Sequence, residues 1–226
     1  MEPRTEVLVL GIGNVLWADE GFGVRAVEAL HAAFEFPSCV ALMDGGTLGL
    51  NLYEPVATAT RVLVFDAIDF ALPPGTLRVL RGDEVPAWGR TKLSPHQTGF
   101  NDVLALAGLN GRAPTAIVAI GVQPVDLSDF GGSLTKPVRS RIAEAVALAE
   151  RELAAWGYPG RRRAAGETFL PLNATPLELT AYESGRPSEA EACRAGDPRL
   201  LERASPGHEP AARAPHGAKA SAGEGR

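Results

Sequence analysis

Cysteine, long apolar runs and net positive charge are scarce or missing in this 226-residue chain. Its two cysteines, Cys39 and Cys193, form no CxxC pair and are too few for a disulfide framework. No apolar run approaches the roughly 20 residues of a membrane-spanning helix, and no signal-peptide core is present. The net charge of −5 gives no overall attraction to nucleic acid or to an anionic membrane. We therefore expect a cytoplasmic monomer that acts on a protein or a small molecule.

The composition of the chain changes after Gly157. Residues 158–226 hold 8 of the 18 prolines and only three aromatic residues, in a background rich in Ala, Gly and Arg. Such a segment buries too little apolar surface to offset its ordering entropy. We predict one ordered domain over 5–157 and a largely irregular C-terminal extension over 158–226, disordered from about 205. Apolar residues within 167–201 leave open whether that part docks on the domain or on a partner.

Strand-like and helix-like patterns alternate within the predicted domain. Short apolar runs predict strands at 7–10, 40–43, 61–65, 76–80 and 115–121. Amphipathic spacing predicts helices over about 21–34, 48–56 and 135–156, the last of them closed by Gly157. This alternation is typical of a sheet of mostly parallel strands covered on both faces. The expected fold class is therefore α/β, a single three-layer domain with a central twisted, mostly parallel sheet.

The loop after the first predicted strand begins with Gly11 and Gly13. A dinucleotide-binding turn would need its third glycine at position 16, which is Leu16, so a nucleotide site is not supported. The two glycines instead indicate a backbone that turns tightly or is approached closely, and an ordinary βα turn also explains them.

Two acids and one imidazole stand at positions that converge in an α/β fold. Glu20 lies at the entry to the first helix, Asp66 ends the RVLVF strand, and His96 follows the helix-start pair Ser94 and Pro95. A helix N-terminus disfavours imidazolium, so His96 should stay neutral and able to bind metal. Together the three side chains predict a site for Zn, Ni or a similar ion. Each also has a structural role available as a helix-capping group.

Other catalytic schemes lack a residue set. The sequence has no G-x-S-x-G elbow, no H-E-x-x-H helix and no plausible Cys/His dyad. A general metal-dependent aminopeptidase or amidohydrolase would usually need a second metal cluster, which we do not find. His31 falls on a polar stretch of the first helix, and we expect it to be solvated.

The sequence resembles the hydrogenase maturation endopeptidases, nickel-dependent proteases that trim the large-subunit precursor of nickel-iron hydrogenases. Several motifs occur in the family's order over about 5–157: LGIGNVLWADEGFGVRAVEAL, DGGTLGL, DAIDF, PPGTLRVLRGDEVP, KLSPHQTGFNDVL and GVQP. In particular, the chain looks like the uptake-hydrogenase branch. Its long extension departs from shorter family members that end near the last helix.

The resemblance implies a metal site formed by Glu20, Asp66 and His96, and a role for Asp44 near the cleft in substrate selection. It implies removal of a short C-terminal peptide from a nickel-loaded precursor, with the nickel presented by the substrate's cysteines. Glu20, Asp66, His96 and Asp44 are thus the catalytic candidates, and either Asp44 or Asp19 is a candidate to orient water or peptide. The alternative function is a non-enzymatic, nickel-dependent chaperone of the large subunit that uses the same cleft without cutting.

Overall fold

A five-stranded sheet forms the centre of the fold. In this computed structural model its strands are β1 Val7–Ile12, β3 Val40–Gly46, β4 Arg61–Ala67, β5 Leu77–Arg81 and β6 Ala116–Val122. Two short strands, β2 Phe34–Glu35 and β7 Arg161–Arg162, form a separate pair. The central sheet has the order β3-β1-β4-β6-β5, in which β5 runs antiparallel to β6 and the other neighbours are parallel. The structure describes residues 5–85 and 95–186, without the side chains of 95–98 and Thr175.

Helices cover both faces of this sheet. They are α1 Phe22–Ala33, α2 Tyr53–Thr58, α3 Pro95–Leu109, α4 Lys136–Arg139, α5 Ile142–Ala155 and α6 Leu179–Gly185, with 3-10 turns at Ala18–Gly21, Gly49–Leu52 and Thr175–Leu177. One apolar core joins α1 and α5 to the sheet, and a second joins α2 and α3 to its other face. The predicted three-layer α/β fold is confirmed. Within the described ranges, no helix is long and apolar enough to cross a bilayer.

Strand β4 shows how the two layers divide the side chains. Alternate residues of a strand point to opposite faces, so Phe65 packs in the α1 layer and Val64 in the α3 layer. By the same alternation Asp66 belongs to the α3 side. Because helices cover both faces, the strand reads as a continuous apolar run, and this is why it was recognisable from sequence.

The predicted helix over 135–156 is interrupted. It forms as α4 and α5, with a break at Ser140 and Arg141. The Ser140 hydroxyl donates to the carbonyl of Pro137 at 2.8 Å, a local bond that competes with regular helix geometry. Gly157 has φ +93° directly after the helix, as expected for its predicted terminating role.

The extension is ordered further than its composition indicates. One compact unit runs to Arg186, so the boundary predicted at 157 lies inside it. We call residues 158–186 the strap. Its strand β7 pairs antiparallel with β2, and Leu172 packs against the α1 core. Main-chain pairing of this kind carries no hydropathy signal, which explains why composition missed it. Residues 187–226, including the predicted disorder from about 205, lie outside the described residues.

Candidate active site

Asp66 lies at the carboxyl end of β4, beside the end of β1. Asp66 is fully buried, at 0% exposure, whereas Glu20 in the 3-10 turn before α1 is half-buried. Open α/β sheets bind ligands outside the carboxyl ends of their strands. The two predicted carboxylate ligands therefore belong to the edge of the sheet where a site is expected.

Glycines hold the Glu20 turn against the sheet. At Gly13, where φ is +132°, an added Cβ would lie 1.8 Å from the backbone oxygen of Glu20. At Gly23, it would lie 2.2 Å from the Ile12 carbonyl oxygen and 2.3 Å from that of Phe65. No side chain fits into these contacts, so the start of α1 rests directly on the ends of β1 and β4. A close approach at the glycine loop is thus confirmed, and the approaching group is the chain's own backbone.

His96 lies in the first turn of α3, which begins at Pro95 as predicted. The predicted cap Ser94 lies outside the described residues, as do the side chains of His96 and Gln97. Position 96 precedes Phe100 by one helical turn, and Phe100 is buried in the layer to which Asp66 belongs. Among the described side chains, which do not include His96, no three potential ligands form a metal-binding group. Two carboxylates and one imidazole are nevertheless a suitable donor set for nickel.

Asp44 is separated from the other candidates. Asp44 pairs with Gly11 of β1, and Gly11 pairs with Phe65 of β4. Asp44 therefore lies two strand spacings from β4, a total of about 10 Å. Strand alternation also turns Asp44 toward the α1 face, because Val40 and Leu42 pack there. Asp44 is therefore too far from Asp66 for the two carboxylates to share one metal ion.

The surroundings of Asp44 raise its pKa. Burial is the main cause, and the negative charge of Glu28 acts in the same direction. Hydrogen bonds donated by the Asn173 side-chain amide and the Gly46 backbone N–H lower the pKa, as does the charge of Arg25, without cancelling the effect of burial.

Asp19 has a structural position that the sequence did not reveal. Its carboxylate is fully buried and accepts hydrogen bonds from the backbone N–H groups of Val125 and Asp126, at 2.8 and 3.1 Å. It also accepts from the N–H and hydroxyl of Thr135, at 2.7 and 2.9 Å. The four bonds fix the loop after β6 to the turn before α1. A carboxylate held in this way anchors two loops, which favours Glu20 over Asp19 as the reactive acid of the pair.

Exposed apolar side chains surround the carboxyl edge. They lie on the segments that follow β1, β3, β4 and β6, and we call them the apolar rim: Leu16, Leu48, Leu50, Leu72, Val125, Leu127 and Phe130. These account for seven of the twelve large apolar residues that are exposed in the described ranges. Trp17 supports the rim by an edge-on contact with Phe130 at 5.2 Å between ring centroids. Such a concentration is typical of a surface that binds a macromolecule.

Comparison with known proteins agrees with this arrangement of fold and site. The model of the hydrogenase maturation protease family matches residues 24–152. The chain belongs to this family and is a peptidase.

Particular relatives point to one branch of the family. The hydrogenase expression/formation protein HupD of Thiocapsa roseopersicina is 52% identical over 203 residues, which cover 89% of this chain and 92% of HupD. HoxM of Azotobacter vinelandii is 50% identical over a match that covers 86% of this chain and 94% of the HoxM chain. The structure of the hydrogenase maturating endopeptidase HybD from Escherichia coli superposes with a TM-score of 0.68 at 37% identity, covering 71% of this chain and 99% of HybD. The match to HupD and HoxM thus extends well beyond the part of the chain shared with HybD.

Proposed function

We propose that this peptidase removes a short C-terminal peptide from the nickel-loaded precursor of a nickel-iron hydrogenase large subunit, and so completes its maturation. The relatives named above are hydrogenase formation proteins and a hydrogenase maturating endopeptidase. One arrangement supports the proposal best: a buried acid and a half-buried acid, Asp66 and Glu20, at a sheet edge surrounded by the apolar rim. A site of this kind suits a folded protein substrate better than a short free peptide.

The two carboxylate candidates differ in burial, and we assign them different roles on that basis. Asp66 is fully buried, so water competes little for its contacts with an incoming group. Glu20 is half-buried on a turn that backbone packing holds in place, so it can meet a substrate without a large rearrangement. With His96 they would bind the nickel that the precursor presents. When bound, the metal can polarise the scissile carbonyl and activate water.

Asp44 acts on another part of the substrate in this proposal. Because it lies about 10 Å from β4, Asp44 would contact residues beside the bond to be cut rather than the metal. It would favour substrates that offer a donor or a positive charge at this position. The apolar rim would hold the surface of the precursor around its C-terminal segment. We also propose that the enzyme is a monomer and works in the cytoplasm.

The test uses purified chain with nickel-loaded and nickel-free precursor, followed by intact-protein mass spectrometry. Loss of a short C-terminal peptide from the loaded precursor alone is the expected result. Stable binding without any change of mass would support the chaperone instead. Cleavage of unrelated short peptides would indicate a general peptidase and would contradict the proposed selectivity.

A further inference from the structure

A buried glutamine lies beneath the loop that follows Asp66. Strand β4 ends at Ala67, and we call residues 69–72 of its connection to β5 the β4 loop. This loop carries Leu72 of the apolar rim. Gln123 directly follows β6, the strand that pairs with β4, and is only 7% exposed. Its amide is therefore a buried polar group beside the candidate active site.

The Gln123 amide makes three hydrogen bonds to the β4 loop. Its Oε1 accepts from the backbone N–H groups of Phe70 and Leu72, at 2.7 and 3.2 Å. Its Nε2 donates to Asp69 Oδ1 at 3.0 Å, and the same carboxylate oxygen accepts from the Ala71 N–H at 2.9 Å. Only this orientation of the amide meets two donors with an acceptor and a carboxylate with a donor. One side chain thus joins the whole loop to the end of β6.

These bonds surround a residue with an unfavourable backbone conformation. Ala71 has φ +56°, in the left-handed region, which is disfavoured for a residue that has a Cβ. Backbone N–H groups on either side of such a residue form a concave site that can hold an anion, and here the Gln123 oxygen fills it. A conformation of this kind persists only where its surroundings hold it. The shape of the loop therefore depends on Gln123.

Neighbouring contacts fix the position of Gln123 itself. Its N–H donates to the Thr76 carbonyl and its carbonyl accepts from the Gly75 N–H, both at 2.8 Å. Two residues earlier, an added Cβ at Gly121 would lie 2.8 Å from the Phe70 ring, so this ring packs directly on the backbone of β6. The loop and the end of β6 therefore form one packed unit, in which a change at position 123 should alter the loop.

We propose that Gln123 is a positioning residue for recognition of the precursor, which holds the β4 loop so that Leu72 packs against the precursor beside Asp66. This gives a role to the glutamine of the GVQP motif, which the proposed metal site does not use. The inference rests on the proposed function, and specifically on docking at the apolar rim. Gln123 contacts no reacting atom in this account, because it acts through Leu72.

An apolar side chain at position 123 could fill the space but could not replace the bonds. Gln123→Leu would leave the N–H groups of Phe70 and Leu72 without their acceptor, and nothing would then offset the strain at Ala71. The loop should relax toward solvent and move Leu72 out of the rim. Asp66 should stay in place, because β4 pairs with β6 as far as Ala67. Affinity for the precursor should therefore fall without a matching loss in the rate of cleavage.

The first test is a double-mutant cycle on processing of the nickel-loaded precursor, with kcat and KM measured well below the unfolding midpoint of each variant. Gln123→Leu and Leu72→Ser should each raise KM about fivefold and change kcat less than about twofold. Because both changes remove the same contact with the precursor, the double variant should match the single variants. Independent effects would instead multiply to a rise of about 25-fold.

A rescue variant separates positioning from simple stabilisation. Glycine adopts a positive φ readily, so Ala71→Gly removes the strain that Gln123 offsets. On its own this change should leave KM near the wild type. Added to Gln123→Leu, it should lower KM by about threefold, because the loop can then keep its shape without the glutamine. A merely structural role for Gln123 would lower the unfolding midpoint and leave KM unchanged.

Two control variants remove polar contacts outside the β4 loop. Thr76→Val removes the bond from the Thr76 hydroxyl to the Pro73 carbonyl, at 2.6 Å, in the other half of the same connection. His31→Ala acts near the end of α1, away from the carboxyl edge. His31, expected to be solvated, is instead half-buried under the strap, with Nε2 at 2.8 Å from the Leu170 carbonyl oxygen. Both variants should keep the wild-type KM.

Several results would overturn the inference. They are a wild-type KM for Gln123→Leu, a fall in kcat alone, independent effects of Gln123→Leu and Leu72→Ser, and a rise of KM in the controls equal to that of Gln123→Leu. Failure of Ala71→Gly to lower the KM of Gln123→Leu would overturn it as well. A wild-type protein that cuts no precursor would instead contradict the proposed function, and this inference with it.

Discussion

Asp19 and Thr135 are joined by two hydrogen bonds, from the backbone N–H and the hydroxyl of Thr135 to the Asp19 carboxylate. They stand 116 positions apart in the chain. The same carboxylate holds Val125, a residue of the apolar rim. The turn that carries Glu20 and the loop that carries part of the rim therefore form one rigid unit.

Replacing Asp19 should damage stability first. Asp19→Ala removes a buried carboxylate that accepts four part-buried hydrogen bonds, and we expect a loss of about 3 kcal/mol in the free energy of unfolding. Chemical denaturation monitored by circular dichroism measures the loss. Asp19→Asn keeps one acceptor oxygen and should lose less. Wild-type stability in Asp19→Ala would show that the four bonds contribute little.

Replacing Glu20, the acid next to Asp19, should impair processing rather than stability. Glu20→Gln removes a proposed ligand charge from a half-buried position, so processing should fall by about a hundredfold or more while the unfolding midpoint stays near the wild type. Processing of loaded precursor and thermal unfolding are measured on the same sample. Glu54→Gln is the control, since its carboxylate is exposed and pairs with the surface residue Arg112. Near-normal processing by Glu20→Gln would contradict the site assignment.

The apolar rim can be tested without touching either acid. Leu50 is 60% exposed on the turn after β3, and Leu50→Ser should raise KM for the precursor about fivefold, a loss of about 1 kcal/mol. Leu109→Ser is the matched control, since Leu109 is 86% exposed at the far end of α3 and outside the rim. Equal KM values for the two variants would mean that the precursor docks elsewhere.

The packing of α1 on the sheet predicts a contrast between two glycines. Gly23→Ala would push a methyl group into the carbonyl oxygens of Ile12 and Phe65, and should destabilise the protein by about 3 kcal/mol. Gly108→Ala in α3 meets no atom within 4 Å and should stabilise by about 0.5 kcal/mol through higher helix propensity. Urea denaturation of both variants gives the comparison. A tolerated Gly23→Ala would require α1 to shift away from the sheet, and processing should then change.

The sequence was informative wherever the local pattern matched the final environment. The run at β4 is buried on both faces and reads as continuous apolar sequence, and the pair before His96 marks the start of α3 at Pro95. The break at Ser140 was missed because the apolar stripe continues across it, so hydropathy does not report the local change in hydrogen bonding.

Long-range polar contacts were beyond sequence reasoning. Nothing local distinguishes Asp19, which anchors two loops, from Glu20 beside it, since either acid suits a helix entry. Asn173 resembles any polar residue of a proline-rich extension until β7 pairs with β2 and directs the strap along α1. A simple alternation of hydropathy cannot report pairs of residues more than a hundred positions apart.

The strap also imposes an order on synthesis. Residues 158–186 leave the ribosome after every strand of the central sheet, so α1 and β3 can fold before Asn173 exists. Until the strap docks, Glu28 lacks the hydrogen bond that the Asn173 amide donates to it. A nascent chain can thus hold a formed sheet edge before the strap lies along α1.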